Sequence, residues 1–519
     1  MLCSVVIPSL TYGSGLVHET IRVGLRSSHY NVSSVTVKNT GLSVGYGQSN
    51  RFKSEATLNS HTGFRIKPSN KQYYVTKDVF HTYKDAVYAL VDYREEGAVI
   101  AYLAPGTWKI YVEQDLGRME RVRESGLEIV VEDGIGNPLL ITDHTGTLPA
   151  FAGESYQHSF HITELTNASY RGWFEFVRKG STITPVNVVD YEDYLYGVVP
   201  AEMPPSWPME ALKAQAVTAR SMSLHQYNKY VKDGYNVCDT TFTQVYKGFS
   251  GEHTRTSEAV DQTRGIVATY NGKVAETLYS STSGGHTEDP QYVWGNPIPY
   301  LKAIPDPYET KPEMKPWKRT ITLTDFDLSL VKQNINIGRA TGMRIKAYTP
   351  AGRVSELEII GTTGTHTIVR ENIRTFLSPT KEGSLRSRMF TIDNGQVTTR
   401  PSLPSQSDQF VVVYGTRETP QYFMGTSGKA EKAKESFVVE GPNRKTTYGS
   451  ENSSGGSGQT GGLGQTGGTT QEQYGDITIS GQGYGHGVGM SQSGARGMAE
   501  EDYTYDEIIK YYYKGVAVE

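Results

Sequence analysis

The chain has 519 residues, enough for two to four domains at roughly 100–200 residues each. Its 51 Lys and Arg against 55 Asp and Glu leave a net charge of −4, so no long-range pull toward nucleic acid or anionic lipid is written into it. With 37% hydrophobic residues, a mean hydropathy of −0.47 and no apolar run near the ~20 residues that cross a bilayer, an integral membrane segment is excluded. Cys3 and Cys238 are the only thiols, too few for a disulfide scaffold or a four-cysteine zinc site.

Residues 1–18 read either as an export-signal remnant or as a short buried strand. Residues 19–71 are β-rich, opening with the alternating ETIRVGLR. Residues 72–120 change character: QYYVTKDVF is a strand, YKDAVYALVDYREEG a helix stopped by Gly97, and AVIAYLAPG and TWKIYVEQ are two more strands. Ala86, Val87, Leu90 and Val91 lay one apolar stripe along that helix. Residues 121–445 return to short strands and loops, interrupted at MEALKAQAVTARSMSLHQYNKYV. Pro200, Pro204 and Pro205 are expected to bar a helix before Pro208, whose fixed φ suits a first helical turn. From there the Ala, Leu, Lys, Gln and Arg content predicts about five turns, with Glu210 complementing the dipole. Residues 446–474 are a Gly/Ser/Thr-rich stretch, expected to be a disordered loop because it offers no apolar area against its ordering entropy. Residues 475–519 add a strand, a Gly-rich loop and a final amphipathic helix, and the whole reads as α+β.

Glu202 sits between Pro200 and Pro204 among Val, Pro, Met and Trp207, surroundings that would partly desolvate a carboxyl and raise its pKa toward neutrality. By the local pattern alone, a solvated loop glutamate fits as well or better. Lys213 and Arg220 lie seven apart on one helix face, either a ligand-binding pair or a wet surface. STSGGHTED carries His286 after Gly284 and Gly285, which permit close backbone approach; a structural histidine is the plainer alternative. GQGYGHGVGM has five glycines in ten positions with Tyr484 and His486 between them, and it lacks any phosphate-loop spacing. No H-E-x-x-H or close His/Cys quartet is present.

Taken together, YEDYLYGVVPAEMPPSWPMEALKAQAVTARS, CDTTFTQVY, YSSTSGGHTED with VWG, and GYGHGVGMSQSGARGMA resemble the SpoIID/LytB family. The resemblance covers most of residues 19–50 and 160–515 and implies a β-rich catalytic domain with a long helix after the catalytic loop. It further implies peptidoglycan lytic transglycosylase activity, which cuts between N-acetylmuramic acid and N-acetylglucosamine without water and leaves a 1,6-anhydro end. Glu202 matches the family's catalytic glutamate in PAEMP. On the same resemblance Lys213, Arg220, Tyr246, Ser283, His286, Tyr484, His486 and Gln492 are expected to bind substrate. Some members hold zinc through a His-Cys pair where this chain has Phe242 and Thr243, so no metal and no other cofactor is expected here. Residues 72–120 resemble a SPOR domain, a glycan-binding module for strands stripped of stem peptides. The implied setting is extracytoplasmic and sporulation-linked, with glycan strands and a cell-wall amidase as partners; the alternative is a non-catalytic enhancer of such an amidase.

Overall fold

The computed structural model describes residues 18–117, 120–121, 128–142, 148–155, 158–309, 316–393 and 476–519, together with four short strands between 411 and 448. The expected export remnant lies outside the described residues except for His18, and so does the Gly-rich loop beyond the end of the fourth short strand, Arg444–Tyr448. The chain divides into two units, Met1–Thr277 with Val516–Glu519, and Leu278–Gly515. That division falls inside the region expected to be one catalytic domain.

Among the described residues the first unit holds two large sheets and two small ones of two and three strands. A seven-stranded sheet runs in the order Val237–Cys238, Thr20–Gly24, Thr182–Asp190, Trp173–Lys179, Ala150–Gly153, Gly41–Gln48, Arg51–Asn59. The predicted ETIRVGLR strand is its second member, paired antiparallel with Asp190 through Val186. An eight-stranded sheet has Val35–Val37 at one edge and Glu120–Arg121 at the other.

Residues 72–120 form the predicted elements: Tyr74–Val75, the Tyr83–Leu90 helix, a 3-10 continuation to Glu96 capped by left-handed Gly97, then Val99–Ala104 and Thr107–Val112. They do not make a free-standing sheet. Val99–Ala104 pairs in parallel with Pro138–Thr142, so the segment shares its sheet with strands on both sides of it in sequence. Three short strands and an eight-residue helix bury too little to stand alone. Trp108 instead joins a core that also contains Phe64, Val131, Phe174 and Leu195.

Two helices lie over this core. Met209–His225 begins after Pro208, as predicted, and runs about five turns. Tyr191–Glu202 overturns the expectation that prolines keep the segment before Pro208 wholly non-helical. Asp190 caps its start by accepting from Glu192 N at 2.9 Å. Pro200 falls in the last turn, where its missing N–H costs only one bond, and the helix stops at Met203 because Pro204 holds that residue extended.

The second unit packs Trp317–Ile321 and Phe390–Ile392 on either side of Ile477–Gly481. A meander, Ala340–Tyr348, Val354–Gly361 and Thr365–Val369, shares its core with the Leu323–Lys332 helix. The expected single C-terminal helix is two, Gln492–Glu500 and Tyr505–Tyr512. Thr504 breaks them apart by capping the second with Glu507 in a capping box. The architecture is therefore α+β and strand-rich. Among the described residues no helix is long and apolar enough to cross a membrane.

Candidate functional site

Glu202 is the last residue of its helix, half-buried, with Oε1 accepting the backbone N–H of Val245 at 3.0 Å. The sequence builds that contact through alternation in the QVY segment. Gln244 turns inward, accepting from Tyr194 Oη at 3.1 Å and donating to Ala219 O at 3.1 Å. Tyr246 also turns inward and donates to Asn187 Oδ1 at 2.8 Å. With residues 244 and 246 committed to the core, the Val245 N–H is the group left facing Glu202.

Gly197 lets this loop come so close. A Cβ there would stand 2.6 Å from the Tyr246 ring and 3.0 Å from Gly248 N, and Lys247 N donates to Gly197 O at 3.1 Å. A side chain at 197 would lift the loop off the helix and take the Val245 N–H away from Glu202.

Tyr246, expected to bind substrate, is thus a core residue whose hydroxyl is already engaged; burial drives its pKa well up. Arg220 is corrected in the same way. Its guanidinium is fully buried and closes a two-point ion pair with Glu192, Nε to Oε1 at 3.0 Å and Nη2 to Oε2 at 2.7 Å. Nη1 donates to Ile266 O at 3.0 Å and Nη2 also reaches Val260 O at 3.3 Å. An arginine so placed holds two helices and a loop together and has no fork to offer a sugar. Lys213, by contrast, is on the less buried face, with Nζ 2.8 Å from Glu210 Oε1. Sequence reasoning missed Glu192, although an arginine on an otherwise Ala-rich buried stripe requires an acid nearby.

Cys238 is buried, its Sγ 3.2 Å from Thr240 Oγ1 and 3.4 Å from Thr243 Oγ1, while Phe242 is exposed. Among the described residues no group of three His, Cys, Asp or Glu side chains gathers in metal-binding fashion.

The second unit brings the other motif residues together. Tyr279–Ser280 pairs in parallel with Met490–Ser491, and bridges join Thr282 to Tyr484 and Glu288 to Val488. STSGGH and GYGHGVGMSQ therefore lie side by side. Glu309, absent from the expected site, is what holds them. Its buried carboxylate accepts the N–H groups of Ser283, Gly284 (2.9 Å) and Gly285 (3.2 Å) and the Ser491 hydroxyl. Asp306 beside it accepts from Tyr512 Oη at 3.0 Å. Burial, then repulsion from Glu309, drives the Asp306 carboxyl well above the usual range; burial raises Glu309 too, opposed by the Ser491 hydroxyl and the Ser283 and Gly284 N–H groups.

Ser283 is accordingly buried and part of this clamp. His286 donates from Nδ1 to Thr287 O at 2.8 Å, and burial lowers its pKa. His486 accepts Val488 N–H at Nδ1 at 3.0 Å and is pushed down to about 3 by burial and by Arg374, Arg353 and Arg388, so it stays neutral and structural. Gln492 is buried in the first turn of its helix, and Tyr484 is 56% exposed. Arg353 links the loop from behind, Nη2 donating to Ser283 O at 2.5 Å and His286 O at 3.0 Å.

A family model, "SpoIID: Stage II sporulation protein", matches residues 179–270, a span containing Glu202, Lys213, Arg220 and Tyr246. The amidase enhancer of Bacillus subtilis (strain 168) is 32% identical over 329 residues, covering 62% of this chain and 40% of the relative's own length. Stage II sporulation protein D of the same organism is 27% identical over 351 residues, 64% of this chain and 75% of that protein. An uncharacterized protein of Brachyspira hyodysenteriae is 29% identical over 355 residues, 68% of this chain and 73% of its own length. The matched segment contains both Glu202 and Val245, so residues 179–270, which carry the likeness to SpoIID, are the ones that position this carboxyl.

Proposed function

We propose that this chain is a lytic transglycosylase of peptidoglycan in which Glu202 is both acid and base. The observation that carries the reading is the half-buried carboxyl at the end of the Tyr191–Glu202 helix, oriented by the Val245 N–H within the segment matched to SpoIID. Ordinary glycosidases use two carboxyl groups, the second to activate or replace water. A single group suffices when the muramic acid C6 hydroxyl is the nucleophile. Glu202 gives its proton to the glycosidic oxygen as the C1–O bond breaks; O6 then bonds to C1, and the Glu202 carboxylate takes the O6 proton. The enzyme returns to its starting state, with no water consumed and no co-reactant needed. Lys213 is proposed to meet the sugar beside Glu202, and Tyr484 and His286 to line a glycan-facing surface of the second unit; the chemistry needs no metal. The setting is extracytoplasmic, on glycan strands of the cell wall.

A second reading, a non-catalytic enhancer of a cell-wall amidase, is favoured by the name of the 32% identical relative. Mass spectrometry of purified glycan strands after incubation separates the two. Anhydro-muramic ends that disappear in Glu202→Gln support the enzyme. Their absence, beside faster stem-peptide release by an added amidase, supports the enhancer.

A further inference from the structure

We infer that Trp294 and Arg370 form a subsite in the second unit for a pyranose carrying a carboxylate, an inference that rests on the glycan reading above. Trp294 is 46% exposed, on the turn that follows the Pro290–Tyr292 3-10 segment. Single exposed aromatics are common on protein surfaces and by themselves mean little. This one is held. Its backbone N–H donates to Pro290 O at 2.8 Å, Gly295 N donates to Gln291 O at 3.1 Å, and the indole meets the His486 ring at 5.1 Å and 60°. His486 is itself fixed by Val488, so the indole rests on a neutral, immobile edge.

Arg370 supplies the charge. It is exposed, and its backbone lies at φ 55, a left-handed conformation that arginine seldom adopts. Its N–H donates to Ser355 O (3.0 Å) and its carbonyl accepts from Ile373 N (3.1 Å), and the two bonds keep it there. The consequence is a guanidinium lying against the turn that carries Trp294. A Cβ on Gly295, whose φ is +101, would sit 3.1 Å from Arg370 Nη1 and 3.5 Å from its Cζ. Three other arginines of this unit are engaged: Arg374 and Arg388 pair with Glu371, and Arg353 donates to the Ser283 and His286 carbonyls. Among the described residues Arg370 has no ion-pair partner.

A flat apolar ring beside an uncommitted planar fork suits a ligand with an apolar face and an adjacent carboxylate. Within a glycan strand that is a muramic-type sugar bearing a free lactyl group, as opposed to a neutral amino sugar.

The test uses the full chain carrying Glu202→Gln, so that strands are bound and not cut. Two probes are titrated by calorimetry: glycan strands stripped of peptides, and the same strands with their carboxyl groups converted to amides. The parent should bind the acidic strands about tenfold more tightly. Arg370→Ala should abolish that preference and leave the affinity for amidated strands unchanged, with Arg370→Lys intermediate. Trp294→Ala should weaken both probes about tenfold, and Trp294→Phe, which keeps a ring against His486, should restore part of the loss. Melting curves confirm that each variant is folded. If the parent binds strands but Arg370→Ala and Trp294→Ala match it on both probes, or if acidic and amidated strands bind alike, the subsite is overturned while the glycan reading survives. If the parent binds neither strand, the glycan reading falls and the subsite with it.

Discussion

Replacing Arg220 with leucine separates a structural arginine from a ligand-binding one. The substitution removes both bonds to Glu192 and those to the Ile266 and Val260 carbonyls, in a site with no solvent access. Glu192 is left as a buried carboxylate whose support shrinks to the Gly265 N–H at 3.2 Å. Removing one partner of a buried pair costs about 3–5 kcal/mol, because the other charge stays behind desolvated. At roughly 2–4 °C per kcal/mol for a domain of this size, the melting temperature should fall by about 6–20 °C. The double variant Glu192→Leu/Arg220→Leu should recover most of the loss, since apolar replacement of a whole buried pair is often neutral. Thermal and urea unfolding followed by circular dichroism measure both steps. An Arg220→Leu protein that melts within about 2 °C of the parent, or a double variant no more stable than the single, refutes the argument. Unchanged stability with lost glycan binding would return Arg220 to the substrate.

Glu202→Gln keeps an acceptor for the Val245 N–H, so it should leave the melting temperature nearly unchanged while lowering anhydro-muramic product formation by at least about a hundredfold. Gly197→Ala places a methyl 2.6 Å from the Tyr246 ring; a loss of roughly 1–3 kcal/mol in urea unfolding is expected, with turnover lost as the Val245 N–H moves away. Glu309→Gln turns an amide NH₂ toward the Ser283–Gly285 donors, and hydrogen exchange at the Gly284 and Gly285 amides should rise by more than about tenfold; unchanged protection would show that the carboxylate is not the clamp. Asp193 is raised to about 6 by burial, with Arg171 opposing and Asp190 and Glu252 adding to it. A raised carboxyl contributes stability that is complete below its unfolded value near 4 and is lost as pH rises through about 6. Asp193→Asn should flatten the stability profile between about pH 4 and 7, and an unchanged profile would count against the shift.

Much of the fold was legible because local rules settled it. Alternation marked Thr20–Gly24, a Gly at the helix end marked Gly97, and Pro208 with Glu210 marked the start of Met209–His225. The helix Tyr191–Glu202 was not legible, since a count of prolines weighs against it and only their position at its end makes it tolerable. Nor was the sheet that 72–120 joins legible, because strand propensity says nothing about which strand becomes the neighbour; Ala101 pairs with Ile141, beyond the segment's own end.

For the site, the glycine loops stood out by residue type and short spacing, whereas Glu202 and the doubtful zinc positions at Phe242 and Thr243 were singled out by the resemblance to the SpoIID/LytB family. Which side chains turn outward was decided by tertiary structure. Lys213 and Arg220 share a helix face in projection, yet one reaches Glu210 near the surface and the other is sealed against Glu192, twenty-eight residues upstream. Burial depends on what packs over a helix, and Val260 and Ile266, from a later segment, close over Arg220. The same holds for the glycine loops, whose shape is set by the distant carboxylate of Glu309: periodicity reports a residue's neighbours along the chain, and only the folded chain brings a charge to the donors that need it.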